Sequence, residues 1–171
     1  MVQALAKKFR SNAYSPGELA ELRRLDFRQG FTSAGPAFWR VVTQELEPQG
    51  HVSEWAQEEV LRRWMVILQG LASLDELCAE KPSLGAALAQ ANVSEARVTR
   101  LLTARGDALL SQVRPLAHQL RSQAQQVNWA PMAQLLFSEG RRSGDEIRQK
   151  IARDFYRQQY RDGEQGDGDT A

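Results

Sequence analysis

Residues 54–72 read EWAQEEVLRRWMVILQGLA. Their apolar side chains recur every three or four residues, the spacing that places side chains on one face of an α-helix. These positions are Trp55, Val60, Trp64, Ile67, Leu68 and Leu71. The pattern predicts a long helix at the centre of a hydrophobic core. No stretch of the chain alternates apolar and polar residues over the length of a strand, so the sequence predicts an all-α fold.

Shorter helices are predicted on both sides of this stretch. On the N-terminal side they cover residues 2–10, 15–26 and 36–46, with a loop at 27–35. The second opens with a capping box, Ser15-Pro16-Gly17-Glu18. On the C-terminal side a short helix is predicted over 84–90. Capping residues then predict the starts of four more helices at Ser94, Asp107, Asn128 and Ser143.

The predicted architecture is about eight helices in two small helical bundles, residues 1–75 and 83–161. An acidic, proline-terminated connector, SLDELCAEKPS at 73–83, joins them. Residues 162–171, DGEQGDGDTA, contain no large apolar side chain that could join a core. We expect this segment to be a disordered acidic tail.

Length and composition exclude several classes of protein. The chain has 171 residues, of which 42% are hydrophobic and 25% charged, as in a folded protein that is too short for a large multidomain enzyme. No apolar run approaches the ~18 to 20 residues that cross a bilayer. The first residues, MVQALAKKFR, lack the apolar segment of a secretory signal. We therefore expect a cytoplasmic protein without a membrane partner.

Residues with catalytic or metal-binding chemistry are few. A single cysteine, Cys78, and two histidines, His51 and His118, provide neither an internal disulfide nor a ligand set at zinc spacing. Dinucleotide-binding, P-loop and GxSxG motifs do not occur. Glu58 and Glu59 are adjacent, so on a helix they would point about 100° apart, which is poor geometry for a shared acid and base. The sequence predicts no catalytic residue, no metal and no cofactor.

The net charge of +1 conceals a segregation of basic and acidic residues. The net charge is +4 over residues 1–44, −6 over 45–96, +7 over 97–161 and −4 over 162–171. Such asymmetry favours a polyanionic partner for the basic parts. The alternative is that these charges are only the solvated faces of helices of mixed sign, and the charge pattern alone leaves both interpretations open.

The basic residues of the second half fall into clusters on the predicted helices. Arg114, His118 and Arg121 lie within about 60° of one another on an ideal helix, and Arg97 shares a helix face with Arg100. Arg141 and Arg142 precede a capped helix start, where backbone N–H groups favour an anion. A further face contains Lys150, Arg153, Arg157 and Arg161. Together the clusters could line a groove that follows a nucleic-acid backbone, without a motif for reading bases.

Six sequence blocks, in their order along the chain, resemble one protein family. They are LRRLDF at 22–27, PAFWRVV at 36–42, SLGAALA at 83–89, SEARVTRLLTAR at 94–105, NWAPMAQLLFSEGRR at 128–142 and RDFY at 153–156. This succession resembles the CasB family, the small subunit of the Cascade surveillance complex of type I-E CRISPR systems. The blocks are spread along residues 15–158.

The resemblance implies a non-catalytic helical subunit that is present as a pair in an RNA-guided complex. Its implied partners are the backbone and large subunits of Cascade, a second copy of itself, the guide RNA, the target DNA and the displaced strand. The implied function is to hold nucleic-acid backbone and so stabilise the R-loop. The family's basic surface falls here on Arg23, Arg24, Arg97, Arg100, Arg105, Arg114, Arg141 and Arg142.

Two other classes of function remain as alternatives. A helical DNA-binding regulator would need a recognition helix that reads base edges, and the sequence has no tight helix-turn-helix pattern. A small cofactor-free helical enzyme would need a pocket with polar groups in perturbed environments. A deep pocket containing His51 or His118 would favour the enzyme.

Overall fold

The structure, a computed structural model, describes residues 1–53 and 55–166. These residues form nine α-helices and no β-strand, apart from an isolated bridge between Cys78 and Val127. The helices are α1 Val2–Arg10, α2 Pro16–Arg23, α3 Pro36–Val41, α4 Glu58–Leu74, α5 Leu84–Gln90, α6 Glu95–Thr103, α7 Gly106–Ser122, α8 Ala130–Phe137 and α9 Arg142–Gly166. The all-α prediction is confirmed, with more helical segments than the expected count of about eight.

The first helices begin where the local sequence signals predict. Ser15 Oγ accepts a hydrogen bond from the Glu18 N–H at 3.2 Å, and the Glu18 carboxylate accepts one from the Ser15 N–H at 2.7 Å. The predicted capping box at the start of α2 is therefore confirmed. After α3 the chain continues through a π-helical turn, Val42–Leu46, which completes the helical stretch predicted to residue 46.

The central helix α4 begins later than predicted. Gln57 has extended backbone, and a turn closed by the hydrogen bond from the Ala56 N–H to the Ser53 carbonyl at 2.9 Å precedes it. Trp55 lies in this turn and is 85% exposed, so its assignment to the core is wrong. Glu54, predicted as helical, lies outside the described residues.

Other predicted starts and one predicted loop also differ. α7 begins at Gly106, and the Asp107 carboxylate accepts two hydrogen bonds from Arg62, at 2.9 and 3.0 Å, instead of capping the helix. Ser143 lies inside α9 because that helix starts at Arg142. The segment predicted as a loop forms a 3₁₀ turn, Phe27–Ser33, whose start is capped by the Asp26 carboxylate, which accepts a hydrogen bond from the Arg28 N–H.

α4 lies at the centre of the core. Within the described residues it packs against α1, α2, α7 and α8, and its side chains are buried from Trp64 to Ala72. Burial of each large aliphatic side chain stabilises the fold by about 1.5–3 kcal/mol. A Cβ atom on Gly70 would lie 2.6 Å from the Trp129 ring, so glycine at this position lets Trp129, which precedes α8, pack directly on α4.

The second half of the chain is built around the pair α5 and α9. A Cβ atom on Gly85 would lie 2.2 Å from the Ile151 carbonyl oxygen, so only glycine permits the approach of these two helices. The connector before α5 is attached to the second half, since the Ala79 N–H donates to the Val127 carbonyl at 3.0 Å. Buried residues of both halves form one contiguous cluster, and the division into two bundles at 1–75 and 83–161 stays a prediction.

The C-terminal helix is longer than predicted. α9 reaches Gly166, beyond the predicted end at residue 161, and residues 167–171 of the predicted tail lie outside the described residues.

Cys78 is buried, and burial raises the pKa of its thiol to about 12. Among the described residues no helix has the length and hydropathy to cross a membrane, and no three His, Cys, Asp or Glu side chains are grouped to hold a metal.

Candidate nucleic-acid interface

α7 presents a row of basic side chains on its outer face. Its inner face is buried through Leu109, Val113, Leu116 and Leu120, while Arg114, His118 and Arg121 are exposed. This arrangement confirms the exposed ridge that helical geometry predicts, and we call these three residues the α7 ridge.

Arg97 of α6 joins the α7 ridge. Its guanidinium donates a hydrogen bond to the Gln119 side-chain oxygen across the α6–α7 contact. Arg97, His118 and Gln119 line a cavity of about 390 Å³ on this surface. Arg100, the other predicted basic residue of α6, is also exposed. The structure therefore brings Arg97 together with the ridge.

Arg28 extends this basic surface from the first half of the chain. It lies in the 3₁₀ turn and donates a hydrogen bond from Nη2 to Ser111 Oγ of α7 at 3.0 Å. Arg28 and Arg114 line the same small cavity. Arg28 is not predictable from the sequence, because it falls in a segment without periodicity and its contact spans 83 residues.

Two arginines from different helices meet the C-terminal end of α4. Arg23 Nε donates to the Ala72 carbonyl at 2.7 Å, and Arg121 donates to the Ser73 carbonyl. Arg23 also forms an ion pair with Asp75 at 3.2 Å. Carbonyl groups in the last turn of a helix lack partners within the helix and carry its negative dipole end, so arginines stabilise them. Arg24, the neighbour of Arg23, is exposed.

A second basic group lies where α6 ends and α9 begins. Arg105 forms a long ion pair with Asp145 at 3.9 Å, which places it beside the first turn of α9. Arg142 pairs with Glu146 at 3.2 Å and its side chain is 93% exposed. Arg141 is exposed as well. The three predicted arginines of this region therefore lie around the first turn of α9 and face solvent.

A buried arginine supports the connector that carries Arg105. Arg148 is 6% exposed and donates to the carbonyl oxygens of Leu102 and Ala104, at 2.9 and 3.0 Å. Burial, and after it the charge of Arg105, lower the pKa of the Arg148 guanidinium. The sequence contains a signal for this role, since Arg148 lies three residues before Ile151 and seven before Phe155, on the inward face of α9.

A comparison with known families matches residues 18–156 to the family described as CRISPR-associated protein Cse2. The chain belongs to this family. The match confirms the resemblance to CasB, because both names denote the type I-E small subunit. Proteins of the Cse2 family are structural subunits of the CRISPR Cascade complex. A comparison with curated proteins found no match.

The region shared with the Cse2 family contains most of the basic clusters, whereas Arg157 and Arg161 of the predicted α9 face lie beyond it. All eight arginines predicted as nucleic-acid contacts lie within residues 18–156, and so do Arg28 and the α7 ridge. α1 lies outside the match. The exposed basic residues Lys7 and Arg10 of α1 therefore offer a comparison group outside the family region.

The two histidines of this Cse2 family member both line cavities. His51 lines one of about 520 Å³, together with Trp64 and Phe137, which is the feature that would favour a small enzyme. The described residues that line this cavity include no carboxylate and no cysteine. The His51 and Trp64 ring centroids lie 6.0 Å apart, so an aromatic ring, and not a carboxylate or a thiol, lies beside the imidazole.

Proposed function

We propose that this protein is a non-catalytic small subunit of Cascade that binds the sugar–phosphate backbone of the target DNA and of the displaced strand. In this position it stabilises the R-loop formed by the guide RNA. Its protein partners are the backbone and large subunits of the complex and a second copy of itself. Family membership gives the complex, and the basic surface supports the role within it.

One observation carries the proposal. Arg28, Arg114, His118 and Arg97 lie along one surface made by the 3₁₀ turn, α7 and α6. A guanidinium donates two parallel hydrogen bonds to phosphate, whatever the base sequence. A row of such groups suits a strand whose sequence is read by base pairing with a guide, as in RNA-guided recognition generally.

The remaining predicted arginines receive different roles. Arg24, Arg100, Arg105, Arg141 and Arg142 are exposed, and we assign them further phosphate contacts. Arg105 makes this contact through Nη2, because its Nη1 donates to the carbonyl oxygens of Leu102, Thr103 and Ala104. Arg23 is assigned a positioning role, because its guanidinium is hydrogen-bonded to Ala72 and Asp75 at the end of α4. Most of the contact surface then belongs to the second half of the chain, where the net charge of residues 97–161 is +7.

R-loop formation depends on small differences in free energy. Exchange of a DNA duplex for a guide–target heteroduplex is nearly balanced, so modest protein contacts can determine its direction. A charge-assisted hydrogen bond to phosphate contributes about 1.5–3 kcal/mol before solvent screening. A few such contacts, placed on a helical surface that folds without the nucleic acid, are sufficient to prolong the R-loop.

The proposal is tested by removing two charges from the α7 surface in the assembled complex. We expect Arg97→Gln with Arg114→Gln to shorten R-loop lifetime by about tenfold or more and to reduce the slope of log affinity against log salt by about 1 for each lost phosphate contact. The control is Lys7→Gln with Arg10→Gln, which removes the same charge from α1. Equal lifetimes for the two double variants, in complexes of normal composition, would exclude this surface as the contact.

A further inference from the structure

A small, partly open cavity lies beside the basic surface, between the 3₁₀ turn, α4 and α7. Its volume is about 140 Å³. A water molecule takes about 30 Å³ in the liquid, whereas ordinary ligand pockets exceed about 300 Å³. The cavity therefore suits one planar ring and is too small for a peptide segment.

Gln69 is the unexplained residue of this cavity. It belongs to the buried face of α4, is 4% exposed and lines the cavity. Its amide makes no hydrogen bond with any group in the part of the chain that the structure describes. Among the described residues, the side-chain polar atoms that are fully buried without a partner are Trp64 Nε1, Trp129 Nε1 and Arg148 Nη1. The Gln69 amide is not one of them, so it is open to the cavity and can bond to a water or a ligand there.

The walls of the cavity combine apolar surface with two cations. Leu110 and Pro115 of α7 and the ring of Phe27 supply the apolar surface, and Arg28 and Arg114 supply the charge. The Arg28 guanidinium lies 5.4 Å from the Phe27 ring centroid and is hydrogen-bonded to Ser111. These contacts hold the Arg28 guanidinium and the Phe27 ring in place before any ligand binds.

Asp26 also lines the cavity, but its carboxylate is engaged within its own turn. It accepts hydrogen bonds from the Arg28 N–H at 3.0 Å and from the Gln29 side chain at 3.5 Å. The groups that remain to meet a ligand are an amide with a donor and an acceptor, an apolar slot and two guanidinium groups.

We propose that this cavity receives one unstacked base of a single-stranded nucleic acid, with Gln69 hydrogen-bonded to the edge of the base and Arg28 and Arg114 bound to the adjoining phosphates. A phosphate alone would leave the apolar walls and the buried amide unused. An apolar side chain would leave the amide and the cations unused. A nucleotide uses all three, and side-chain amides pair with base edges through this donor and acceptor. The inference rests on the proposed function and names the part of the strand that the surface binds.

The test compares two single-stranded oligodeoxynucleotides of equal length and charge, one with bases and one made of abasic sites. Binding to the full-length protein is followed by fluorescence anisotropy. We expect the oligonucleotide with bases to bind about fivefold more tightly, the effect of one net hydrogen bond and partial stacking. Gln69→Met, which conserves volume, should abolish this preference and leave the affinity for the abasic strand unchanged. An RNA oligonucleotide in the same assay distinguishes a ribose from a deoxyribose source.

Controls separate the possible failures. Gln134→Met removes an amide from a different cavity and should keep the preference. If wild-type protein binds both strands equally and Gln69→Met changes nothing, the base site is overturned while salt-dependent backbone binding stands. If neither strand binds, the proposed function fails with it. Should Gln69→Met not fold, the NMR signals of the wild-type Gln69 amide still decide the question, because they should shift with the base-containing strand only.

Discussion

The Arg40 guanidinium donates a hydrogen bond of 2.5 Å to the Glu18 carboxylate, and this contact joins α3 to the first turn of α2. The same carboxylate accepts the Ser15 N–H of the capping box. The bond from Ser15, followed by the bond from Arg40, lowers the pKa of Glu18 to about 2 from its ordinary 4.5. Ionised Glu18 is therefore favoured more in the folded than in the unfolded chain.

This pair predicts an acid-sensitive contribution to stability. A carboxyl group whose pKa is lowered by folding stabilises the protein fully above its unfolded-state pKa, and that contribution is lost as the pH falls toward the folded-state value. Glu18→Gln should therefore lower the melting temperature at pH 7, with a difference from wild type that shrinks between about pH 4.5 and pH 2. Thermal unfolding across this pH range measures the difference in melting temperature. Glu47→Gln, at an exposed position, is the control. A difference that is independent of pH would contradict the assignment.

Gly85→Ala tests the approach of α5 to α9. The new Cβ would lie 2.2 Å from the Ile151 carbonyl oxygen and 2.9 Å from the Phe155 nitrogen, and both are backbone atoms. Such overpacking costs about 1–3 kcal/mol or more of unfolding free energy. Gly17→Ala is the matched control, because its nearest neighbour would be Ser15 Oγ at 3.8 Å, and it should change stability by no more than about 0.5 kcal/mol. Urea unfolding measures the unfolding free energy of both variants. Equal values would show that α5 and α9 can move apart without loss of stability.

Arg148→Met should loosen the connector between α6 and α7. The change removes the two hydrogen bonds that Arg148 donates to the Leu102 and Ala104 carbonyl oxygens. Arg105 Nη1 still donates to both, at 3.3 and 2.9 Å, so the loss is that of two net hydrogen bonds, about 0.5–1.5 kcal/mol each. We expect a lower free energy of unfolding and faster amide exchange in the connector. Arg153→Met, an exposed site on the same helix, should have an effect within about 0.5 kcal/mol. A similar loss of unfolding free energy in the two variants would show that Arg148 does not stabilise the connector.

Local signals in the sequence predicted most of the helices, and tertiary contacts account for the differences. The Ser15–Glu18 box acts within four residues, so its prediction holds. Asp107 had the right residue type for a cap, yet Arg62 of α4 binds its carboxylate. Trp55 matched the apolar spacing of α4, but a turn precedes the helix and leaves the indole exposed. Sequence spacing does not reveal which competing partner a side chain will meet.

Some residues of the candidate site could also be predicted from the sequence, and others could not. The α7 ridge could be predicted because its three residues share one helix face. Arg28 could not, since its contact with Ser111 depends on the packing of a turn against a distant helix. Gln69 carried a readable signal, as the one polar side chain in the run WMVILQGLA at 64–72. That signal indicates an unusual buried group, but only the structure shows the cavity and the two arginines beside it.

The last prediction concerns Arg141 and Arg142 at the start of α9. Arg142 pairs with Glu146, whereas the neighbouring acidic residues Glu139 and Asp145 pair with Arg63 and Arg105. An exposed i,i+4 ion pair contributes about 0–1 kcal/mol, so Arg141→Ala with Arg142→Ala should leave the melting temperature nearly unchanged. If both side chains bind phosphate, charge-assisted hydrogen bonds of about 1.5–3 kcal/mol at each are lost before screening and non-additivity reduce the total. Target-DNA affinity of the assembled complex should then fall about tenfold or more, while the Lys7→Ala with Arg10→Ala control retains it. Unchanged affinity in a normally assembled complex would remove this pair from the nucleic-acid surface and leave the contact to the α7 ridge and its neighbours.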